Sequence, residues 1–158
     1  MIDYQRLINT VVKGLYVFVG CPVIPSNRTA EPPKYPYISY TITTPSSANK
    51  GTWEEYADTA RKQVTQIWSI TAFSNDDIES LTLANKARDW LDYVGRMYLK
   101  DRGITVQSVG AVTPRDNVLT VGYEYKKGFD CFFTCDDIVN MPEVETIETV
   151  EFDADIRG

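Results

Sequence analysis

Apolar and polar positions alternate in two different rhythms along the first half of the chain. From Ile2 to about Val19 the apolar side chains recur every three or four residues, which predicts an amphipathic helix that Asp3 helps to begin. Five of the eight prolines then lie between Cys21 and Pro36. Because proline fixes φ and removes a backbone donor, this segment is expected to be an ordered, extended connector. Alternating aromatic and β-branched residues predict strands over Tyr37–Thr43 and Lys62–Phe73.

The clearest helical pattern begins near Ser74 and ends near Gly103. Ser74 as N-cap with Asp77 three residues later approximates a capping box, and Gly103 is expected to end the helix as a C-cap. The predicted buried stripe of this helix consists of apolar residues at helical spacing: Ile78, Leu81, Ala84, Ala87, Leu91, Val94 and Tyr98.

Strand-like sequence follows the long helix. Ile104–Val112 and a run from Val118 to Cys135 predict two further strands, separated by a turn over residues 113–117. Gly128 interrupts the second run and is predicted to form a bulge. The last part, Glu143 to Ile156, alternates apolar with acidic residues, which fits an edge strand or an arm that docks elsewhere.

This order of elements predicts an α+β fold. We expect a mostly antiparallel sheet of four to five strands, with the N-terminal helix and the one long helix between strand pairs packed on one face. No composition shift marks a domain boundary. Residues 1–158 are therefore expected to form one domain, with residues 138–158 as a candidate C-terminal arm.

The charge of the 158-residue chain is unevenly distributed. Its formal net charge is −6, but residues 130–158 hold nine acids and one base, while residues 1–129 hold 13 acids and 15 bases. A chain with this balance lacks the excess of cations that drives general nucleic-acid binding. Two interpretations of the acidic segment stay open, a solvated tail and an acidic surface with a function.

Several kinds of chemistry are excluded by the residues that are missing. The chain has no histidine, which excludes Ser-His-Asp and Cys-His catalysis and the usual zinc sites. Its glycines fit no phosphate-binding loop. We therefore expect a protein that is not an enzyme, with no catalytic residue, no cofactor and no bound metal. No apolar run approaches the length of about 18 residues that predicts a membrane span.

The three cysteines, Cys21, Cys131 and Cys135, have no metal-ligand spacing. On an extended strand Cys131 and Cys135 would lie about 13 Å apart, which is too far for a disulfide. Reduced and partly buried thiols are expected, as in a protein that folds in a cytosol.

Three charged pairs have an ordinary structural explanation. Asp76 and Asp77 are predicted to cap the long helix rather than to act as catalytic carboxylates. The pair at residues 136–137 has no third ligand that would favour a divalent cation site. Lys126 and Lys127 are predicted to lie on the solvent edge of a strand rather than to contact nucleic acid.

The segment from Pro45 to Arg61 carries the candidate interface. It is polar, which predicts a long loop or a hairpin tip, yet it contains two large aromatic residues. Such residues are enriched at the energetic centres of interfaces, although they also fold back onto their own domain. A loop that orders only on docking is expected, with a subunit or tube interface formed by Trp53, Glu54, Glu55 and Tyr56.

Several stretches of this sequence resemble the neck and tail-terminator proteins of tailed bacteriophages. The resemblance spans about residues 1–137, with lysines at 126 and 127 where the family more often has arginines. It rests on five stretches: Tyr35–Tyr40, Ala72–Ser74, Ala84–Leu91, Asp101–Val106 and Tyr123–Cys131.

The resemblance implies a protomer of a ring, typically a hexamer, at the top of the phage tail tube. Such a ring caps the tube and joins it to the head connector or stopper, and DNA passes through its lumen without specific binding. Acidic lumen walls would repel the DNA phosphates. The implied location is the virion, after synthesis in the host cytoplasm. The alternatives are a head-completion stopper, a tail tube subunit, or an unrelated cytosolic interaction module.

Overall fold

A mostly antiparallel sheet with helices on one face forms the computed structural model, which describes residues 1–48, 53–119 and 122–142. The helices are α1 (Tyr4–Val19), α2 (Asp77–Asp89), a π-helical turn (Trp90–Val94) and α3 (Arg96–Lys100). The strands of these described residues are β1 (Val23–Pro25), β2 (Tyr37–Ala48), β3 (Glu54–Tyr56), β4 (Thr59–Ser74), β5 (Ile104–Val109), β6 (Thr113–Pro114), β7 (Asn117–Val118) and β8 (Tyr123–Asn140).

The strand order is β1-β2-β4-β8-β5, with β3 paired to β4, and β6 and β7 paired to β8. Only the short β1–β2 pair is parallel among these pairs of the described chain. The predicted α+β class and the mostly antiparallel sheet are confirmed. The one long helix predicted between the strand pairs is instead divided into α2, the π-helical turn and α3. The expected four to five strands correspond to the main path, and the short strands β3, β6 and β7 were not predicted.

The segment predicted as a long loop is mostly strand. β2 continues to Ala48 and β4 begins at Thr59, with the short β3 pairing alongside it. Polar side chains do not prevent strand formation here, because the ladder uses backbone groups and leaves side chains free to face water. Of the two predicted alternatives, a long loop or a hairpin tip, the described residues agree with the hairpin, and residues 49–52 of this segment lie outside the described residues.

The pairing of β4 with β8 is the longest in the sheet. All 16 residues of β4 pair with β8 without a register shift, from Thr59 opposite Asn140 to Ser74 opposite Tyr125. Because successive side chains point to opposite faces, one set of alternate residues faces the helices and forms the core. Trp68 and Phe133 belong to this set, are fully buried, and meet edge to face with ring centres 5.5 Å apart.

The helices meet the sheet and one another around Trp90. A Cβ at Gly14 of α1 would lie 2.5 Å from the Trp90 ring, and a Cβ at Gly95 would overlap the same ring. Both glycines therefore provide the space that the indole needs. α1 contributes the buried face that covers the sheet: Leu7, Val11, Leu15 and Val19.

The buried face of the second helical run differs from the predicted stripe. Ile78, Leu81 and Val94 are exposed, and the predicted stripe was wrong at these positions. The face of the helix that packs on the sheet lies at neighbouring positions instead. Burial of Trp90 fixes how the helix is rotated about its axis. The π-helical turn after Asp89 then shifts the helical phase. The buried residues of this run are Ser80, Leu83, Ala84, Ala87, Trp90, Leu91 and Leu99.

The predicted caps of this run are shifted by two residues. Asp76, not Ser74, is the N-cap, and its carboxylate accepts the backbone N–H of Glu79 at 2.9 Å. Ser74 instead donates its hydroxyl to the Glu79 carboxylate at 2.6 Å. At the other end the C-cap is Asp101, not Gly103 as predicted. Gly103, with a left-handed φ of 80°, follows two residues later and turns the chain into β5.

Gly128 does not form the predicted bulge, because β8 passes through it in register with β4. The glycine is needed for a close approach instead. The guanidinium of Arg115 crosses this position and donates to the hydroxyls of Ser69 at 2.7 Å and Thr71 at 2.9 Å. A Cβ at Gly128 would lie 2.6 Å from the Arg115 guanidinium and 2.8 Å from the carbonyl oxygen of Ile70.

The C-terminal part of the chain is only partly described. Residues 138–140 of the candidate arm are the last residues of β8. The remainder of that arm from residue 143, including the alternating segment from Glu143 to Ile156, lies outside the described residues. Within the described residues no helix is long and apolar enough to cross a membrane.

We predict that Gly128→Ala lowers the free energy of unfolding by about 1–3 kcal/mol, because the added methyl group displaces both Arg115 and the β4 backbone. Urea denaturation measures the loss. Gly122→Ala is the matched control, since a Cβ there meets no atom within 4 Å. Equal stabilities of the two variants would contradict the close approach described here.

Candidate functional site

The β4–β8 ladder is longer than the helical run beside it. At roughly 3.3 Å per residue β4 spans about 53 Å, whereas the helical run from Asp77 to Lys100 spans at most about 36 Å. The apolar core cluster reaches Val64 and Cys135, and among the described residues nearer this end of the sheet only Ala60 is buried. We call the part beyond this core, residues 53–63 and 136–142, the distal arm.

All four residues of the predicted interface lie in the distal arm. Trp53 precedes β3, and Glu54, Glu55 and Tyr56 form it. The four residues are not on one face, however. Glu54 and Tyr56 share the face of Arg61, as shown by the hydrogen bond from the Tyr56 hydroxyl to Glu54 at 2.9 Å. Alternation places Glu55 on the opposite face.

The two aromatic residues of the distal arm remain half-exposed. Trp53 retains 45% and Tyr56 50% of its accessible surface, so neither ring folds back into the core. Each ring has a cation beside it. The Lys62 ammonium lies 5.6 Å from the Trp53 ring centre, and the Arg61 guanidinium lies 5.4 Å from that of Tyr56. These contacts orient the rings without removing them from solvent.

Three further apolar residues of the distal arm were missed by the sequence analysis. Ile138, Val139 and Met141 are each at least 40% exposed. The ladder places Ile138 opposite Arg61 and Val139 opposite Ala60, one strand away from β3. The signal was the apolar sequence between the aspartates at 136–137 and Pro142, but the strand was predicted to end at Cys135.

The backbone of the distal arm is already ordered in the isolated protomer. β3 pairs with β4 through a two-residue turn in which Ala57 has a left-handed φ of 34°. The N–H of Met141 donates to the carbonyl oxygen of Asp58 in the same turn at 2.7 Å. A partner that binds the distal arm therefore meets a formed hairpin.

The distal arm carries more acids than cations. Its two cations, Arg61 and Lys62, are outnumbered by five acids. Arg61 lies 3.8 Å from the Asp136 carboxylate, and the N-terminal amine lies 3.3 Å from that of Asp137. The acids are Glu54, Glu55, Asp58, Asp136 and Asp137.

The candidate cation site at Asp136 and Asp137 is not assembled by the fold. The two residues lie inside β8, where neighbouring side chains point to opposite faces. Across residues 1–48, 53–119 and 122–142, no three acidic, cysteine or histidine side chains form a group that could hold a metal ion.

Lys127 is not on a solvent edge, and that prediction was wrong. Its side chain is only 4% exposed and its ammonium lies 2.9 Å from Asp77 and 2.5 Å from Asp116. The residue is on the helix-facing side of β8, where α2 begins. Asp116 also accepts the backbone N–H of Lys126 at 2.7 Å. The ion group thus ties the start of α2 and the turn before β7 to the same strand.

The ionisation of this group follows from its contacts. Burial by itself lowers the pKa of Lys127, but the hydrogen bonds to Asp116 and Asp77 outweigh burial and raise it. The hydrogen bond from Lys127 lowers the pKa of Asp116 below its ordinary value of 3.8. Both groups are therefore charged across the neutral range.

The three cysteines are free and buried, as predicted. Burial raises the pKa of Cys131 to about 12 and those of Cys21 and Cys135 to about 11. A thiol that stays protonated at neutral pH is a poor nucleophile. These residues contribute packing to the core.

Comparison with known proteins gives one family. A family model described as phage neck terminator protein matches residues 5–158. No curated protein matches the sequence. The match extends beyond the stretches on which the sequence resemblance rests, and it includes the distal arm.

We predict that Lys127→Met lowers the free energy of unfolding at pH 7 by about 2–3 kcal/mol, because the variant leaves Asp116 without its cation. Asp116 has a lowered pKa in the folded protein, so its contribution is present above about pH 4 and is lost as pH falls through the folded-state pKa. The difference between wild type and variant should therefore shrink between pH 5 and pH 2.

Chemical denaturation over this pH range measures the effect. Lys126→Met is the matched control. This variant keeps the hydrogen bond from the backbone N–H of residue 126 to the Asp116 carboxylate. A pH-independent difference for Lys127→Met would show that lost packing, rather than the ion group, causes the destabilisation.

Proposed function

Because the chain belongs to the phage neck terminator family, we propose that it forms a ring that caps the tail tube and joins it to the head connector. Membership of the family implies a structural protein at the head–tail junction of the virion. Our proposal adds that the protein forms a ring and that the ring is a hexamer. It also adds that the ring contacts the tail tube protein and the connector or stopper.

The observation that carries the proposal is the distal arm. It presents five large apolar side chains at an end of the sheet that the core does not reach. A ring needs a heterologous contact, in which one surface of each subunit meets a different surface of the next. A projecting hairpin that carries exposed apolar side chains together with charged ones suits one half of such a contact.

The energetics of docking favour a formed hairpin. A buried aromatic residue at the centre of an interface contributes about 2 kcal/mol or more. Ordering a loop would cost roughly 1–2 kcal/mol for each residue fixed and would cancel this gain. Strand pairing over residues 54–61 already fixes the backbone. Docking of these residues therefore does not carry the cost of ordering a loop.

The electrostatics agree with a conduit for DNA that does not bind it. The chain has a net charge of −6. A lumen lined by acids repels phosphates and keeps the duplex from adhering to the wall. This role needs no catalytic group and no cofactor, and we propose none.

The alternatives differ in where the protein is found. A head-completion stopper would stay with heads, a tube subunit would be present in many copies along the tail, and a cytosolic interaction module would be absent from the particle. A tail terminator should be present in few copies at one end of the tail.

We predict that the protein co-sediments with tails made by a phage mutant that forms no heads, and is absent from heads made without tails. Quantitative mass spectrometry of the two fractions measures this, with the tube protein as the copy-number standard. Recovery with heads alone would favour the stopper, and a copy number equal to that of the tube protein would favour the tube subunit.

We predict that Trp53→Ala combined with Tyr56→Ala changes the melting temperature of the protomer by no more than about 2 °C, because both rings are half-exposed. The same variant should strongly reduce the fraction of particles with joined tails, counted by electron microscopy after complementation of a null phage.

The matched control is Tyr93→Ala, which removes an aromatic ring that is 83% exposed on the helical layer. It should leave tail joining unchanged. A large loss of protomer stability in the double variant, or normal joining by it, would contradict the role of the distal arm.

A further inference from the structure

A basic groove lies beside α1. It has a volume of about 550 Å³ and contains three cations, Arg6 and Lys13 of α1 and Arg102 after α3, with Tyr98 in its wall. Lys13 lies seven residues after Arg6, so both side chains are on one face of the helix. The one acid in the groove, Asp3, caps α1 by accepting the N–H of Arg6 at 3.1 Å.

The positive charge of this groove is not neutralised by the described residues. Arg6 donates to the carbonyl oxygen of Arg102 at 3.2 Å, and Arg102 donates to that of Tyr98 at 2.9 Å. These acceptors are neutral. In the described ranges 1–48, 53–119 and 122–142, none of the ion pairs includes Arg6, Lys13 or Arg102. The groove therefore carries charge that an anionic ligand can neutralise.

The chain itself carries a segment of opposite charge. Residues 143–158 contain six acids and one base. From Val150 to Arg157 apolar and charged residues alternate strictly, so an extended chain would present three carboxylates and Arg157 on one side and apolar side chains on the other.

The end of β8 lies close to the start of α1. The N-terminal amine, three residues before α1, donates to the carbonyl oxygen of Ile138 in β8. The segment starts a few residues beyond Ile138 and, at roughly 3.3 Å per residue, its 16 residues reach up to about 53 Å. The entrance of the groove at Asp3 and Arg6 is within that reach.

We propose that the basic groove beside α1 binds an extended acidic peptide, and that its occupant in this protein is the chain's own segment, residues 143–158. Carboxylates of the segment accept charge-assisted hydrogen bonds from Arg6 and Arg102, and Lys13 supplies a further cation. The Arg102 guanidinium lies 3.7 Å from the centre of the Tyr98 ring, which holds this cation at the wall of the groove. Duplex DNA fits the groove less well, because the site offers three cations on a protein whose net charge is −6. This proposal does not depend on the proposed function.

Cleavage of the full-length protein by a glutamate-specific protease tests the proposal. Bonds after Glu143, Glu145, Glu148 and Glu151 are followed by mass spectrometry. Arg6→Glu combined with Lys13→Glu should increase their cleavage rate about fivefold or more at low salt, as expected when two ion pairs are lost. Added salt should expose the wild-type segment in the same way. An acid at position 6 is compatible with the first turn of α1.

The matched control is Arg28→Glu combined with Lys34→Glu, which changes the charge equally at exposed positions of the connector before β2. Its cleavage rate should equal that of wild type. Adding Asp153→Lys and Asp155→Lys to the groove variant restores the opposite charges and retains every glutamate site. This combination should recover protection, and circular dichroism checks that all variants are folded.

Three outcomes would overturn the proposal. Equal cleavage of wild type and groove variant would show that the segment is not held there. Protection that disappears on dilution would assign the occupant to a second copy. Binding of a short DNA duplex to wild type but not to the groove variant, measured by fluorescence anisotropy with unchanged cleavage, would make the groove a nucleic-acid site.

Discussion

The in-register pairing of β4 with β8 is the constraint on which the rest of this structure depends. All 16 residues of β4 take part, so the register of one pair fixes which side chains face the helices along the whole ladder. A slip of β4 by one residue would move Trp68 out of the core, and the same slip of β8 would move Phe133. The same register places Lys127 under the start of α2 and carries the distal arm away from the helices.

The ladder also explains the unusual residues near its ends. Gly128 is required because the Arg115 side chain crosses β8 at that point, and the buried cation of Lys127 is tolerated because two carboxylates reach it. At the other end the helices stop, and apolar residues such as Ile138 and Val139 remain exposed. The β4–β8 pair is longer than the helices that pack on it. The part under the helices therefore belongs to the core, and the part beyond them leaves apolar side chains exposed to solvent.

The form of the distal arm matters for its proposed role at the head–tail junction. Strand pairing and the hydrogen bond from Met141 to Asp58 order the hairpin before any partner binds. The aromatic rings of Trp53 and Tyr56 project from a fixed backbone, so their burial in an assembly would not be offset by loop ordering. In such a contact the acids of the distal arm would add orientation and selectivity rather than much affinity.

The sequence by itself determined the helices, the main strands, the α+β class, the reduced cysteines and the family, because periodicity, proline content and local motifs are properties of neighbouring residues. It also marked Trp53 and Tyr56 as interface candidates, because they are large aromatic residues in an otherwise polar segment. Only the tertiary structure decided the burial of Lys127, the crossing of Gly128 by Arg115 and the pairing of Ile138 and Val139 with the part of β4 that also pairs with β3. Each of these depends on which distant residues stand opposite one another in the ladder, and strand register is set by the packing of the whole core.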